Sequence, residues 1–205
     1  MKYSNELCRL VANNIEILEE APSVLSDIES KMFKAMNKRI KERIENAGDW
    51  KGVYDYYTND KYNETSFAPL SWPNNAEENY AAFFTLSLFD EEDSYWVSVF
   101  FGLKNSSMCF NVGFDANYFS LTDSELKVKV NEFFANHNEL SQRGFRLIYP
   151  TSKYCRLSRG FSFDRNKFIE ELPAWDETFD PLDKALDDVL ASVPLIEKFI
   201  DELKN

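Results

Sequence analysis

Asp115 precedes Glu125-Leu126-Lys127 by ten residues. An acidic residue ahead of Glu-x-Lys is a pattern that can hold Mg²⁺ and orient a water for phosphodiester cleavage. In such sites the Glu and Lys lie on a strand. Here Glu125 is the third residue after Thr122 in Thr122-Asp123-Ser124-Glu125, where threonine and glutamate side chains satisfy the first free amides of a helix. The structural role is the favoured one, so no catalytic residue is assigned, and Asp115, Glu125 and Lys127 stand as the alternative catalytic set. Asp183, Asp187 and Asp188 fall at i, i+4 and i+5 and could turn two carboxylates to one cation. No second acidic helix has matching spacing, which makes them a solvated acidic face at a helix start. Asp90-Glu91-Glu92-Asp93 reads as a charged hairpin tip.

Nucleophilic catalysis finds no constellation. His137, the one histidine, falls at an expected helix end, where a cation complements the dipole. Cys8, Cys109 and Cys155 are widely spaced and in apolar or strand contexts, with no Cys-x-x-Cys pair, which argues against both a zinc site and a Cys/His pair. No Gly-x-Gly-x-x-Gly or phosphate loop occurs, and no cofactor is implied.

Two groups point to binding. Arg143, Arg146, Lys153, Arg156 and Arg159 interleave with Phe145, Tyr149 and Tyr154, and arginine beside aromatics grips phosphates and stacks bases. The competing reading is internal neutralisation by the acidic C-terminal stretch. Trp50, Tyr54, Tyr56, Tyr57 and Trp72 form an aromatic cluster among polar residues, a composition shared by protein-binding hot spots and by the apolar anchors of a long loop.

The elements that position these groups follow from periodicity. Leu7, Leu10, Val11, Ile15 and Leu18 mark a first helix, capped by Ser4 or Asn5 and broken at Pro22; Leu25, Ile28, Met32, Met36, Ile40 and Ile44 mark a second, ended by Ala47-Gly48. Lys31, Lys34, Lys38 and Lys41 fall on its far side. A short strand near Trp50 and a long loop precede alternating segments at 84–88, 95–103 and 108–114, expected as a three-stranded antiparallel meander. A helix from about Asp123 to His137, strands at 145–150 and 153–158, an edge at 160–163 and a helix from Asp180-Pro181, reset at Pro194, complete the order. The expectation is one α+β domain over 1–205: an aromatic-rich antiparallel sheet flanked by an N-terminal helical hairpin (1–48), one middle helix and an acidic C-terminal helical stretch (164–205).

Composition sets the class of partner. Among 205 residues, 16% are aromatic, which favours strands, and the net charge is −12. The charge is segregated: −4 over 1–30, +4 over 31–51, −10 over 52–140, +6 over 141–167 and −8 over 168–205. A negative field disfavours nucleic acid and membrane surfaces overall, while the two basic islands keep local anion binding open. The first ten residues lack the apolar run of a signal peptide and no stretch is long enough to span a membrane, so a cytoplasmic location and no membrane partner are expected.

The leading helices, the Trp50 segment, Ser71-Trp72-Pro73, the strand Tyr80 to Phe89 and then Trp96 to Gly102 resemble the C-terminal accessory region of PD-(D/E)XK-like nuclease families over roughly residues 25–115. The nuclease core of those families has no counterpart in this sequence. The resemblance implies a stand-alone recognition or regulatory module in a bacterial or phage setting. The leading expectation is therefore a non-catalytic inhibitor or regulator that meets a basic protein through its acidic and aromatic surface, by nucleic-acid mimicry. The alternatives are a metal-dependent nuclease or phosphoesterase, and a nucleic-acid-binding module using the 143–159 arginines.

Overall fold

The computed structural model describes residues 4–56, 64–73, 81–89, 96–149 and 156–204. Among the described residues six strands form one antiparallel sheet: β1 (Trp50–Tyr54), β2 (Thr65–Pro69), β3 (Ala82–Phe89), β4 (Ser107–Phe114), β5 (Phe145–Ile148) and β6 (Arg156–Phe161). Their order is β1-β2-β3-β4-β6-β5. Seven α-helices accompany them among the same residues: α1 (Asn5–Asn13), α2 (Ile15–Glu45), α3 (Trp96–Phe100), α4 (Asp123–Asn136), α5 (Asn138–Gln142), α6 (Arg165–Glu170) and α7 (Asp180–Leu203). The α+β class and the aromatic antiparallel sheet expected from the sequence are both present.

Strand alternation gives the sheet two unlike faces. Opposed pairs Phe84–Val112, Leu86–Phe110 and Met108–Phe161 place the large apolar side chains on one face, where they are buried. Phe67 stacks on Phe84 at 5.6 Å and Phe110 on Phe161 at 5.5 Å. Offset stacking of this kind adds roughly 1 kcal/mol per pair beyond area burial. From α2, Met32, Phe33, Met36, Ile40 and Ile44 press onto this face, and from α7 Leu182, Leu186, Val189 and Ile196 join the same core. A buried polar link also ties α2 to the sheet: Thr65 Oγ1 donates to Asn37 Oδ1 (2.8 Å), and Asn37 Nδ2 donates to the Tyr56 carbonyl (2.9 Å). Each polar atom in that link has a partner, as burial requires.

Three local expectations are corrected. The segment 95–103 is not a strand over its described part; Trp96–Phe100 is helical. Both alternating faces of that segment are apolar, so a period of two carries no information there, whereas Trp96, Val99 and Phe100 share one helical stripe and bury together. Phe100 packs edge-on against Phe33 at 5.1 Å. Gly102, at φ +64°, ends the turn where a side chain would meet Ser162 Oγ at 2.9 Å. Second, neither proline breaks its helix: α2 runs through Pro22 and α7 through Pro194. Each proline removes one backbone hydrogen bond. In α7 the buried residues on both sides, Val189 and Ser192 before and Ile196 and Phe199 after, hold the axis; α2 begins instead at Asn14, and none of the residues of α1 is buried. Third, Gly160 and Phe161 belong to β6, which lies inside the sheet between β4 and β5, not at an edge.

The capping box forms as read from the sequence. Thr122 Oγ1 accepts from Glu125 N–H, and Glu125 Oε2 accepts from Thr122 N–H at 2.8 Å. A second carboxylate cap was not anticipated: Glu171 accepts from the backbone N–H groups of Asp176, Glu177 and Thr178 and from the Thr178 hydroxyl. These donors, led by the Thr178 amide, hold the Glu171 carboxyl below its ordinary value. A depressed folded-state pKa gives stability that is present above the unfolded carboxylate range and lost as pH falls through the folded value. Glu171→Gln is expected to lower the melting temperature at neutral pH. Its gap from the parent should narrow in acid below about pH 4, a trend that thermal melts across pH would reveal.

Candidate functional site: the open face of the sheet

Arg156 and Arg159 are three residues apart on β6, so the period of two sends them to opposite faces. Arg159 turns to the core side, where α7 packs. There Nε donates to Asp188 Oδ2 at 2.9 Å and Nη2 lies 2.8 Å from the same oxygen, while Nη1 donates to the Gly160 carbonyl. The pair is 14% and 16% exposed. Arg143 reaches the other oxygen of Asp188 at 3.9 Å. The acidic face of α7 is thus not merely solvated. Asp183 accepts a forked contact from Arg39 of α2, with Nη2 at 2.6 Å and Nε at 3.0 Å; Asp176 takes Nη1 at 2.8 Å, and Asp187 pairs with Arg43. Contacts of this forked type are the stronger ion pairs, and the Asp183 and Asp176 contacts raise the Arg39 pKa further above its usual range.

Arg146 and Arg156 point the other way. With Arg146 opposite Ser158 and Ile148 opposite Arg156, the two arginines are diagonal neighbours on one face, roughly 7 Å apart at their Cβ atoms. Both are exposed, and among the described residues no carboxylate pairs with either. The face they edge is floored by small and polar groups. Register places Thr85 beside Asn111, Ser87 beside Cys109, and Asn111 beside Ser158. Gly113 lets the Phe83 ring lie flat, since a Cβ there would come within 2.8 Å of it.

A cavity of about 690 Å³ opens on this floor, lined by Ser87, Cys109, Asn111, Arg146, Tyr149 and Arg156 among others. A second cavity, of about 440 Å³, shares Ser87, Asn111 and Arg156 with it and ends against Leu126, Lys127 and Val130 of α4. The two make one trough. Tyr149 stands 51% exposed at its rim, with its hydroxyl donating to Asn131 Oδ1 at 2.6 Å and the Lys127 ammonium 5.1 Å from the ring centre. Ser158 Oγ is buried in the floor and has no hydrogen-bond partner among the described residues. Burial pushes the Cys109 thiol up to about 11, against the weaker downward pulls of Ser158, Arg156 and Arg146. At neutral pH Cys109 is therefore a neutral floor residue and not a nucleophile.

The remaining candidates are dispersed. Trp72 is 3% exposed and packs on Phe84 at 5.4 Å, so it is a core residue and offers no surface. Trp50 and Tyr54 pack on Phe67 at the core side of β1, and burial, with a smaller effect of Glu45, pushes the Tyr54 hydroxyl up to about 12. Tyr56 lies against Phe33. Tyr57, Asp90 to Asp93, Lys153, Tyr154 and Cys155 lie outside the described residues. Glu125 is engaged in its cap, and its carboxyl is held low by the Thr122 amide and hydroxyl; Asp115 accepts from Asn117 N–H at the end of β4. Of the alternative catalytic trio, only Lys127 reaches the trough. Among the described residues no group of three His, Cys, Asp or Glu side chains is placed to hold a metal ion, and no helix is long and apolar enough to cross a membrane. His137 caps the end of α4, its Nδ1 2.8 Å from the Phe133 carbonyl oxygen.

Searches against protein-family models, curated proteins and solved structures returned no match.

Two measurements check this geometry. Asp188→Asn leaves the Arg159 charge shielded from water without its partner and is expected to cost roughly 2–3 kcal/mol in denaturant unfolding. Lys38→Ala, on an exposed helix pair, should cost under about 0.5 kcal/mol. In a Cys155→Ser background, an alkylating reagent at neutral pH should modify exposed Cys8 quickly and reach Cys109 only on unfolding. Rapid labelling of Cys109 in the folded protein would contradict the floor position.

Proposed function

We propose that this protein is a non-catalytic binding module whose open sheet face takes single-stranded nucleic acid. The observation that carries the reading is the division of the arginines. α7 and its approach supply carboxylates to Arg39, Arg43, Arg143 and Arg159, and among the described residues leave Arg146 and Arg156 without a salt-bridge partner beside a trough of mixed polar and apolar lining. Two diagonal guanidinium groups suit successive phosphates of an extended strand, since each can give two N–H groups to one phosphate. Tyr149 offers an aromatic surface for a base, and Asn111, Ser87 and the buried Ser158 hydroxyl offer hydrogen-bonding groups around the floor. The negative remainder of the molecule would keep duplex DNA and other long-range polyanion contacts weak and confine binding to the trough.

This reading is preferred to regulation of a basic protein through acidic and aromatic surface. Trp72 is buried, Trp50 and Tyr54 pack on the core, and Asp176, Asp183, Asp187 and Asp188 each pair with an arginine of the same chain, so those carboxylates are already partly neutralised even where, as at Asp176, they stand at the surface. Hydrolysis has less support still, because Asp115 and Glu125 lie away from the trough.

Fluorescence anisotropy with a labelled single-stranded oligonucleotide at low salt tests the proposal. Arg146→Ala and Arg156→Ala are each expected to weaken binding about tenfold and to reduce the salt slope by about one. Arg143→Ala, outside the trough, should leave affinity within about twofold, the small change usual for a charge outside the contact. Absence of binding at low salt, or equal binding by the Arg146→Ala/Arg156→Ala double variant, would overturn the reading.

A further inference from the structure

The trough has two ends of opposite sign. Arg146 and Arg156 stand at its β5–β6 edge, whereas Glu64, just ahead of β2, and Asp123, the first residue of α4, line the cavity that Arg156 shares. Among the described residues neither carboxylate has a hydrogen-bond or salt-bridge partner. Asp123 suits a helix start for its own reason, the dipole. Glu64 is fixed by the sheet: its carbonyl accepts from Asp55 N–H at 3.2 Å, and the register of β2 on β3, continued by two residues, sets it level with Ser87 of the floor. Three inter-strand steps separate β2 from β6, roughly 14 Å, and the glutamate and arginine side chains narrow that span from both ends. Asn111, between them on β4, lines both cavities. Its Oδ1 faces the Cys109 thiol at 3.6 Å, which leaves the amide N–H groups to donate into the trough.

We infer that the trough selects bases with an exocyclic amino group, adenine and cytosine, over the keto bases guanine, thymine and uracil. The inference rests on single-stranded nucleic acid as the occupant. A phosphate is repelled from the acidic end by like charge and drawn to the arginine end, which fixes the direction in which the nucleotides point. A backbone held by Arg146 and Arg156 runs along the β5–β6 edge, and its bases reach across the floor toward β2 and α4. There they meet a donor at Asn111 and acceptors at Glu64 and Asp123. The pairing edge of an unpaired base is free to be read in this way. In cytosine that edge sets an amino group beside a bare ring nitrogen, and in adenine the order is the same. The amino group donates to a carboxylate, and the ring nitrogen accepts from the amide, so both contacts form. Guanine, thymine and uracil reverse the order, bringing a carbonyl oxygen to the carboxylates and an N–H to the Asn111 donor. Both contacts are then lost, and each polar group is left facing one of its own kind.

Fluorescence anisotropy of the full chain with short labelled oligomers of deoxycytidine and deoxyuridine, at neutral pH and low salt, tests the selection. The two pyrimidines share ring size and backbone and differ at the pairing edge. The cytosine oligomer is expected to bind about tenfold tighter, the discrimination of one good two-contact pair. Glu64→Gln/Asp123→Asn keeps the side-chain shapes and should narrow the preference to within about twofold, chiefly by tighter binding of uracil, whose carbonyl the new amides can meet. A purely structural role for the carboxylates would move both affinities together. Arg146→Ala should lower both by the same factor, as loss of a phosphate contact does. Equal binding of the two oligomers, a preference for uracil, or an unchanged preference in the double amide variant with a native circular dichroism spectrum overturns the inference and leaves the single-strand reading standing. Binding of neither oligomer overturns that reading and the inference with it.

Discussion

The salt bridge between Arg159 and Asp188 fixes how this molecule distributes its charge. Arg159 faces the core side of β6 because alternation requires it, and a guanidinium only 14% exposed needs a partner there. Asp188 supplies it, and its position on α7 sets the rotation of that helix. The same rotation brings Asp183 and Asp187, four residues apart, over Arg39 and Arg43 of α2, also four apart. One helix face thus joins α2, the sheet and itself, while its apolar face fills the core with Leu182, Leu186 and Val189. Such pairs add little net stability next to the apolar burial, but they choose one arrangement of helices over others.

A consequence appears on the far side of the sheet. Because Asp183 and Asp188 of α7 are engaged on the core side, Arg146 and Arg156 have no salt-bridge partner among the described residues, although Glu64 and Asp123 line the same trough farther along. Small residues on β3, β4 and β6 keep the floor between them low, with Gly113 under the Phe83 ring and Ser87, Asn111 and Ser158 in the centre. An arginine-edged trough on a protein of net charge −12 is therefore a product of segregation along the chain followed by segregation across a sheet.

Much of this was legible in the residues. The capping box at Thr122, the helix beginning at Asp180-Pro181 and the strand pattern of 108–114 were read directly, because each rests on local chemistry. The division between Arg156 and Arg159 was also available in principle, since their odd separation on a strand places them on opposite faces. What could not be read was which face α7 would cover. The helical Trp96–Phe100 segment escaped because an apolar run on both faces suits strand and helix equally, and packing on Phe33 decides between them. The continuity of α2 past Pro22 escaped for another reason: one missing hydrogen bond costs less than the flanking helix contributes. The aromatic residues near Trp50 were placed as a group by the sequence, yet the partners of the described ones differ, Tyr56 on Phe33, Trp50 and Tyr54 on Phe67 and Trp72 on Phe84, because long-range packing assigns them.

Arginine side-chain NMR during titration with a single-stranded oligonucleotide tests the account most directly, because it separates the two populations within one molecule. The guanidinium signals of Arg146 and Arg156 should shift together and saturably, while those of Arg39 and Arg159 stay in place. Shifts centred on Arg39 or Arg159, or no change at Arg146 and Arg156 when the oligonucleotide is in excess, would contradict it.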